Sequence, residues 1–126
     1  MKDYKPTSGE LEILKILWSD GPSTVKHVND KLNQSKETGY TTTLKIMQLM
    51  FEKGILSRDE KNRSHVYIAE LEKIQAQNNL LDNLLASAFE GSAMKLVMQA
   101  LGNKRASKDD LQKIKEFINQ MEEENK

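Results

Sequence analysis

The sequence predicts a mainly α-helical protein with a small β-ribbon, and three stretches carry that prediction. In Gly39 to Ile68, a polar Tyr-Thr-Thr-Thr run opens a segment whose apolar residues Ile46, Met47, Met50 and Phe51 share one helical face. Lys53-Gly54 ends that helix with a cation in its last turn and a residue free to adopt φ > 0. Short strands then follow at Ile55 to Arg58 and Val66 to Ile68, around the polar turn Asp59-Glu60-Lys61-Asn62. The second stretch, ahead of this one, holds two further helices. The third, after Glu70, is helical throughout. A groove-sized helix running straight into a hairpin is the layout of a winged helix-turn-helix. The expected fold class is therefore mainly α with a small β-wing: a winged helix-turn-helix domain over residues 1–70 and a helical C-terminal dimerisation region over 71–126.

The elements follow in order. Thr7-Ser8-Gly9-Glu10 has capping-box spacing, in which hydroxyl and carboxylate satisfy each other's free backbone N–H groups. A helix follows to about Trp18, with Leu11, Ile13, Leu14, Leu17 and Trp18 inward and Trp18 as a core anchor. Asp20-Gly21-Pro22 breaks it. Ser23 is placed to cap a second helix from about Thr24 to Leu32, with Val25, Val28 and Leu32 as its inner face. Asn33 to Thr38 reads as a polar loop, and the third helix begins near Tyr40.

Beyond Glu70, Gly and Pro nearly vanish. Leu80, Leu81, Leu84, Leu85, Ala88 and Phe89 repeat at helical spacing, as do Ala93, Leu96, Val97, Ala100 and Leu101 after Gly91-Ser92. Ser107-Lys108-Asp109-Asp110 begins a last helix with Leu111, Ile114, Phe117, Ile118 and Met121, its acidic pair suiting the helix dipole. Three short helices in about 55 residues close little core alone. Their apolar stripes call for a second copy across a two-fold axis, with Leu81, Leu84, Leu85, Phe89, Leu96, Val97, Leu111, Ile114, Phe117 and Ile118 as the dimerisation residues. Packing back on the first domain is the alternative.

Composition sets outer bounds. The 126 residues are 37% hydrophobic and 30% charged, with no cysteine, so disulfides and thiolate metal sites are excluded. No apolar run approaches the roughly 20 residues of a membrane span. The first residues lack the apolar segment of a signal peptide, and a cytoplasmic location is expected. The formal net charge is zero, and residues 1–69 hold 11 Lys+Arg against 9 Asp+Glu. That balance permits DNA binding without arguing for it, because a duplex needs a basic face rather than a basic total. His27 and His65 have no companions at metal-ligand spacing, so no metal is expected. No glycine-rich phosphate loop and no nucleophile with a base beside it is present. The chain does not read as an enzyme, and no cofactor is expected.

The order and spacing of several segments resemble one bacterial family. They are Glu10-Leu-Glu-Ile-Leu-Lys-Ile-Leu-Trp18, Gly21-Pro22-Ser23-Thr24-Val25, Tyr40-Thr41-Thr42, Lys53-Gly54-Ile55-Leu56, Arg63 ahead of Val66-Tyr67, and Gly91-Ser92. Over nearly its full length the chain resembles the BlaI/MecI, or penicillinase repressor, family. That resemblance implies a dimeric winged-helix repressor bound to inverted repeats at promoters, with a helical C-terminal dimerisation region. The chain departs from the family at several points. Family members often carry Thr and Arg where this chain has Lys45 and Leu49. The wing turn, commonly Gly-Arg, is Asn62-Arg63 here, and Asn tolerates a left-handed conformation. Penicillinase repressors are inactivated by cleavage of an Asn-Phe bond, where this chain has Gln99-Ala100. A membrane sensor-protease, the partner such cleavage requires, is thus left open. The cysteine metal site of the copper-responsive branch is absent.

With Ile46, Met47 and Met50 inward, Thr41, Thr42, Lys45, Gln48, Leu49 and Glu52 form the outer arc of the third helix. The DNA-binding residues expected are Tyr40, Thr41, Thr42, Lys45 and Gln48 on that helix, with Lys61 and Arg63 on the wing. Threonine hydroxyls bond phosphates or bases, lysine donates to guanine or neutralises a phosphate, and glutamine pairs with adenine. The plainer reading of the threonines is helix initiation, and of Lys61 and Arg63 a solvated hairpin tip. Tyr40 and Tyr67 either donate to phosphate or pack half-buried. Leu49 fits either a methyl contact or packing against a neighbouring helix. The partners expected are double-stranded DNA carrying an inverted-repeat operator and a second copy of the chain. A winged-helix protein–protein adaptor and a MarR-type ligand-responsive regulator are the rival readings. Against the second, such chains usually dimerise through helices at both ends, and little precedes Thr7 here.

Overall fold

The computed structural model describes residues 3–125, which form six helices and a three-stranded antiparallel sheet. Helix α1 (Ser8–Asp20) starts at the expected capping box. The Thr7 hydroxyl accepts from the Glu10 N–H at 3.2 Å, and the Glu10 carboxylate accepts from the Thr7 N–H at 2.9 Å. The helix runs past Trp18 and stops at Gly21, whose φ of 81° places it in the left-handed region that glycine adopts freely.

The next segment corrects the sequence expectation. Ser23 and Thr24 form a short strand, β1, instead of a cap and a first helical residue. Ser23 donates its hydroxyl to the Gly21 carbonyl at 2.8 Å. Thr24 caps α2 (Val25–Leu32) by accepting from the His27 N–H at 3.2 Å. After a polar loop comes α3 (Tyr40–Glu52), capped by Gly39 without a side-chain bond. The threonines are thus not its caps. Thr41 and Thr42 are exposed, while Thr43 is fully buried and takes the Asn29 amide at 2.9 Å. Gly54, at φ 85°, turns the chain out of α3.

Strands β2 (Leu56–Asp59) and β3 (Val66–Ala69) form the wing, and β3 lies between β1 and β2 in the sheet. The pairing sets Tyr67 opposite both Ser23 and Arg58. Tyr67 is almost wholly buried, so its ring packs in the core, and its hydroxyl accepts from Arg58 at 3.4 Å. Among the described residues, positive φ outside glycine occurs only at Glu90 and Lys104, so the wing turns at Asn62 without the left-handed conformation expected there.

Ile13, Leu14 and Leu17 of α1, Val28 of α2, and Met47 and Met50 of α3 meet Ile55, Leu56 and Tyr67 in one core. Trp18 sits at its edge, half-buried, and its indole N–H donates to the Leu71 carbonyl at 2.9 Å. Helix α4 (Lys73–Ala88) begins on this body, with Ala76 and Asn79 buried and the Asn79 amide donating to the Tyr4 carbonyl at 2.8 Å.

The chain divides into two compact units, through Leu81 and from Asp82. The second holds the end of α4, then α5 (Ala93–Gly102) and α6 (Lys108–Glu124). Ser92 caps α5, and Ser107 with Asp110 builds a full capping box on α6. No described residue from Asp82 onward is buried. None of the described helices is long and apolar enough to cross a membrane.

Candidate nucleic-acid interface

Met47 and Met50 anchor α3 in the core, and the helical period then turns Thr41, Thr42, Lys45, Gln48, Leu49 and Glu52 outward, where all six are exposed. A second anchor acts from α2. Asn29 donates its amide both to the buried Thr43 hydroxyl, at 2.9 Å, and to the Thr38 carbonyl, at 3.0 Å. It thereby pins the start of α3 and the loop before it. Sequence reasoning missed this pair, because a threonine in a polar run carries no local sign of burial.

The C-terminal end of α3 is held by charge. Lys53 reaches the buried Glu10 at 2.9 Å, and the same carboxylate takes the Tyr4 hydroxyl at 2.7 Å. Burial alone would raise the Glu10 pKa. The hydrogen bonds from Tyr4, Thr7 and Lys53 outweigh it and hold the carboxyl below its ordinary value. Lys53 and Tyr4 are both raised, Lys53 chiefly by its bond to Glu10 and Tyr4 chiefly by burial.

Tyr40, Leu44 and Gln48 on α3 face the wing across a cleft of about 250 Å³, closed on the other sides by Thr24, Lys26, Arg63 and His65. The cleft brings together three of the residues expected at the interface, Tyr40, Gln48 and Arg63. It adds Thr24, which the sequence reading placed at a helix start, His65, which it considered only as a metal ligand, and Lys26, which it did not single out. Only the β1–β3 pairing, which draws Ser23 and Thr24 against the wing, places them there. Thr41, Thr42 and Lys45 lie further round the arc, and Lys61 sits at the wing tip with its N–H bonded to Asp59 at 2.9 Å.

The cations differ in their engagement. Arg58 is committed within the wing: it pairs with Glu60, contacts the Tyr67 hydroxyl and lies 4.0 Å from the Phe51 ring centre. Its pKa is raised, first by the bond to Glu60. Lys26 pairs with Asp30 on its own helix at 3.0 Å. Lys45, Lys61 and Arg63 have no carboxylate partner among the described residues. His27 holds Asp20 at 2.7 Å and, with Lys31, lies outside the cleft; that bond chiefly lowers the Asp20 pKa.

The expected dimerisation residues lie on α4, α5 and α6, except Phe89, which directly follows α4. Leu81, Leu84, Val97, Leu111, Phe117 and Ile118 are 40–61% exposed, and Leu85, Phe89, Leu96 and Ile114 are half-buried.

Comparison with known proteins bears directly on this arrangement. The penicillinase repressor family matches residues 6–120. The chain belongs to that family. Its sequence is 19% identical over 118 residues to the methicillin resistance regulatory protein MecI of Staphylococcus aureus strain N315, covering 94% of this chain and 96% of MecI. A second Staphylococcus aureus MecI matches equally. The structure of a MarR family protein from Bacillus stearothermophilus superposes with a TM-score of 0.51 at 18% identity, over 82% of this chain and 74% of that one. At that identity the likeness speaks for the winged-helix fold alone. As a member of the penicillinase repressor family, the protein is a winged-helix transcriptional repressor, and the family is not one of enzymes.

Proposed function

We propose that this repressor binds double-stranded DNA as a homodimer and reads an inverted-repeat operator with α3 in the major groove, occluding the promoter. The observation that carries the reading is the pairing of an exposed polar α3 arc with three cations that no carboxylate among the described residues neutralises, Lys45, Lys61 and Arg63. A duplex offers the counter-charge they lack. In this reading Thr41, Thr42, Lys45 and Gln48 contact base edges or adjoining phosphates, and Tyr40, Lys61 and Arg63 hold the backbone. One small winged domain makes too few contacts for specific affinity, so residues 1–70 need the pairing that 71–126 supply.

Duplexes selected from a random library test the reading. Lys61→Ala and Arg63→Ala should each weaken binding at every sequence and reduce the slope of log affinity against log salt by about 0.9. Lys45→Ala should instead cost most on the selected sequence. Weak binding that ignores sequence, even at low salt, would defeat the proposal in favour of a protein-docking wing. A membrane sensor-protease acting at Gln99-Ala100 would meet that bond inside α5, where the backbone must unwind before it can be cut. Recovery of intact chain from induced cells would remove that partner.

A further inference from the structure

On the outer arc of α3, Thr41, Thr42, Lys45, Gln48 and Glu52 are all able to hydrogen-bond, and Leu49 is the exception. Three other large apolar residues of the helix, Leu44, Ile46 and Phe51, pack against the core. Leu49 remains 44% exposed, so a neighbouring helix of its own unit does not account for it. It stands one helical turn after Lys45, on the side of the arc shared with Thr42 and away from the wing cleft that Gln48 and Leu44 line.

A leucine has nothing to offer the hydrogen-bonding edges of guanine, cytosine or adenine, and covering them would leave polar groups unpaired. The largest apolar group in the major groove is the thymine 5-methyl. One helical turn advances about 5.4 Å and one base pair about 3.4 Å, so side chains four residues apart reach positions one or two base pairs apart. We propose that Leu49 is a specificity-determining residue that covers the methyl group of a thymine one or two base pairs from the position met by Lys45. The proposal rests on the docking of α3 in the major groove described above.

The test removes the methyl and nothing else. Each thymine of a duplex selected by the wild-type full chain is replaced singly by deoxyuridine, and affinity is measured by fluorescence anisotropy for wild type, Leu49→Ala, Leu49→Met and Lys45→Ala. One replacement should weaken wild-type binding about fourfold, the equivalent of one methyl-sized group returned to water. Leu49→Ala should be blind to that replacement, while Leu49→Met and Lys45→Ala stay sensitive. The inference falls if wild type tolerates every deoxyuridine, or if Leu49→Ala responds as wild type does. Specific binding that depends on Lys45 but on no thymine methyl would sink this inference and leave the major-groove reading standing. Sequence-indifferent binding by wild type would overturn both.

Discussion

Up to Leu81 the chain builds a closed core, in which Ile13, Leu14, Val28, Met47, Met50, Ile55 and Tyr67 are all at or below 1% exposure, and leaves few large apolar residues such as Leu49 and Ile74 outside it. From Asp82 on, similar residues do the opposite. Leu84, Val97, Phe117 and Ile118 are 43–61% exposed, although α5 and α6 are capped by side chains as α1 and α2 are. Capping is local and needs only a serine and an aspartate three residues apart, whereas burial needs a facing layer. In the first unit three helices and a sheet supply that layer. In the second, two helices and the end of a third do not. Large apolar patches on well-formed helices mark association surfaces, and helices of this length gain most of their stability from packing. The tail is thus well specified as helix and incomplete as a core.

That contrast can be broken experimentally, beginning with the largest effect. Leu14→Ala empties a fully buried site and should cost about 2–5 kcal/mol in urea unfolding, whatever the protein concentration. Phe117→Asp should act only through association. With subunits at about 100 times the dissociation constant, it should remove up to about 2.7 kcal/mol of apparent stability and abolish the concentration dependence of Tm. An unchanged Tm profile in that variant would mean that the tail is stable alone.

Glu10→Gln, which strips the charge from the Tyr4–Glu10–Lys53 cluster, should cost about 1–2 kcal/mol in the first unit. The same cluster gives that unit an acid sensitivity. The folded Glu10 carboxyl titrates below its ordinary value of 4.5, so its contribution is complete above that pH and fades as pH falls through the lowered value. Urea titrations of wild type and Glu10→Gln between pH 7 and pH 3 should therefore converge at the acid end. The smallest effect is a control on the comparison. Thr7→Ala and Ser107→Ala each remove the side chain of a capping box and should cost about 1 kcal/mol apiece, one in each unit. A much larger cost at Ser107 would show that the tail depends on local order more than on association.

The parts of the fold legible in the sequence are those whose causes are local. Thr7 with Glu10, the start of the last helix at Ser107, the glycine stops at Gly21 and Gly54, and the outward set on α3 follow from spacing alone. What stayed hidden depends on residues far apart in the chain. Ser23 and Thr24 are a strand because Tyr67 and Val66 lie opposite them, more than 40 residues away. Thr43 is buried because Asn29 reaches it from another helix. The start of α4 reads as polar, yet Ala76 and Asn79 are buried against the winged body. For the candidate interface, the helical period gave the arc of α3. The wing cleft, with Lys26 and His65 on its walls, came only with the sheet.

The central claim is that a second copy completes the tail and so sets two winged units on one operator. Native mass spectrometry of the protein on a selected duplex tests it most directly, with both half-sites intact or with one scrambled. Two chains per intact duplex, and affinity at least tenfold lower once one half-site is scrambled, are the predicted result. A single chain bound equally well to both duplexes would contradict it.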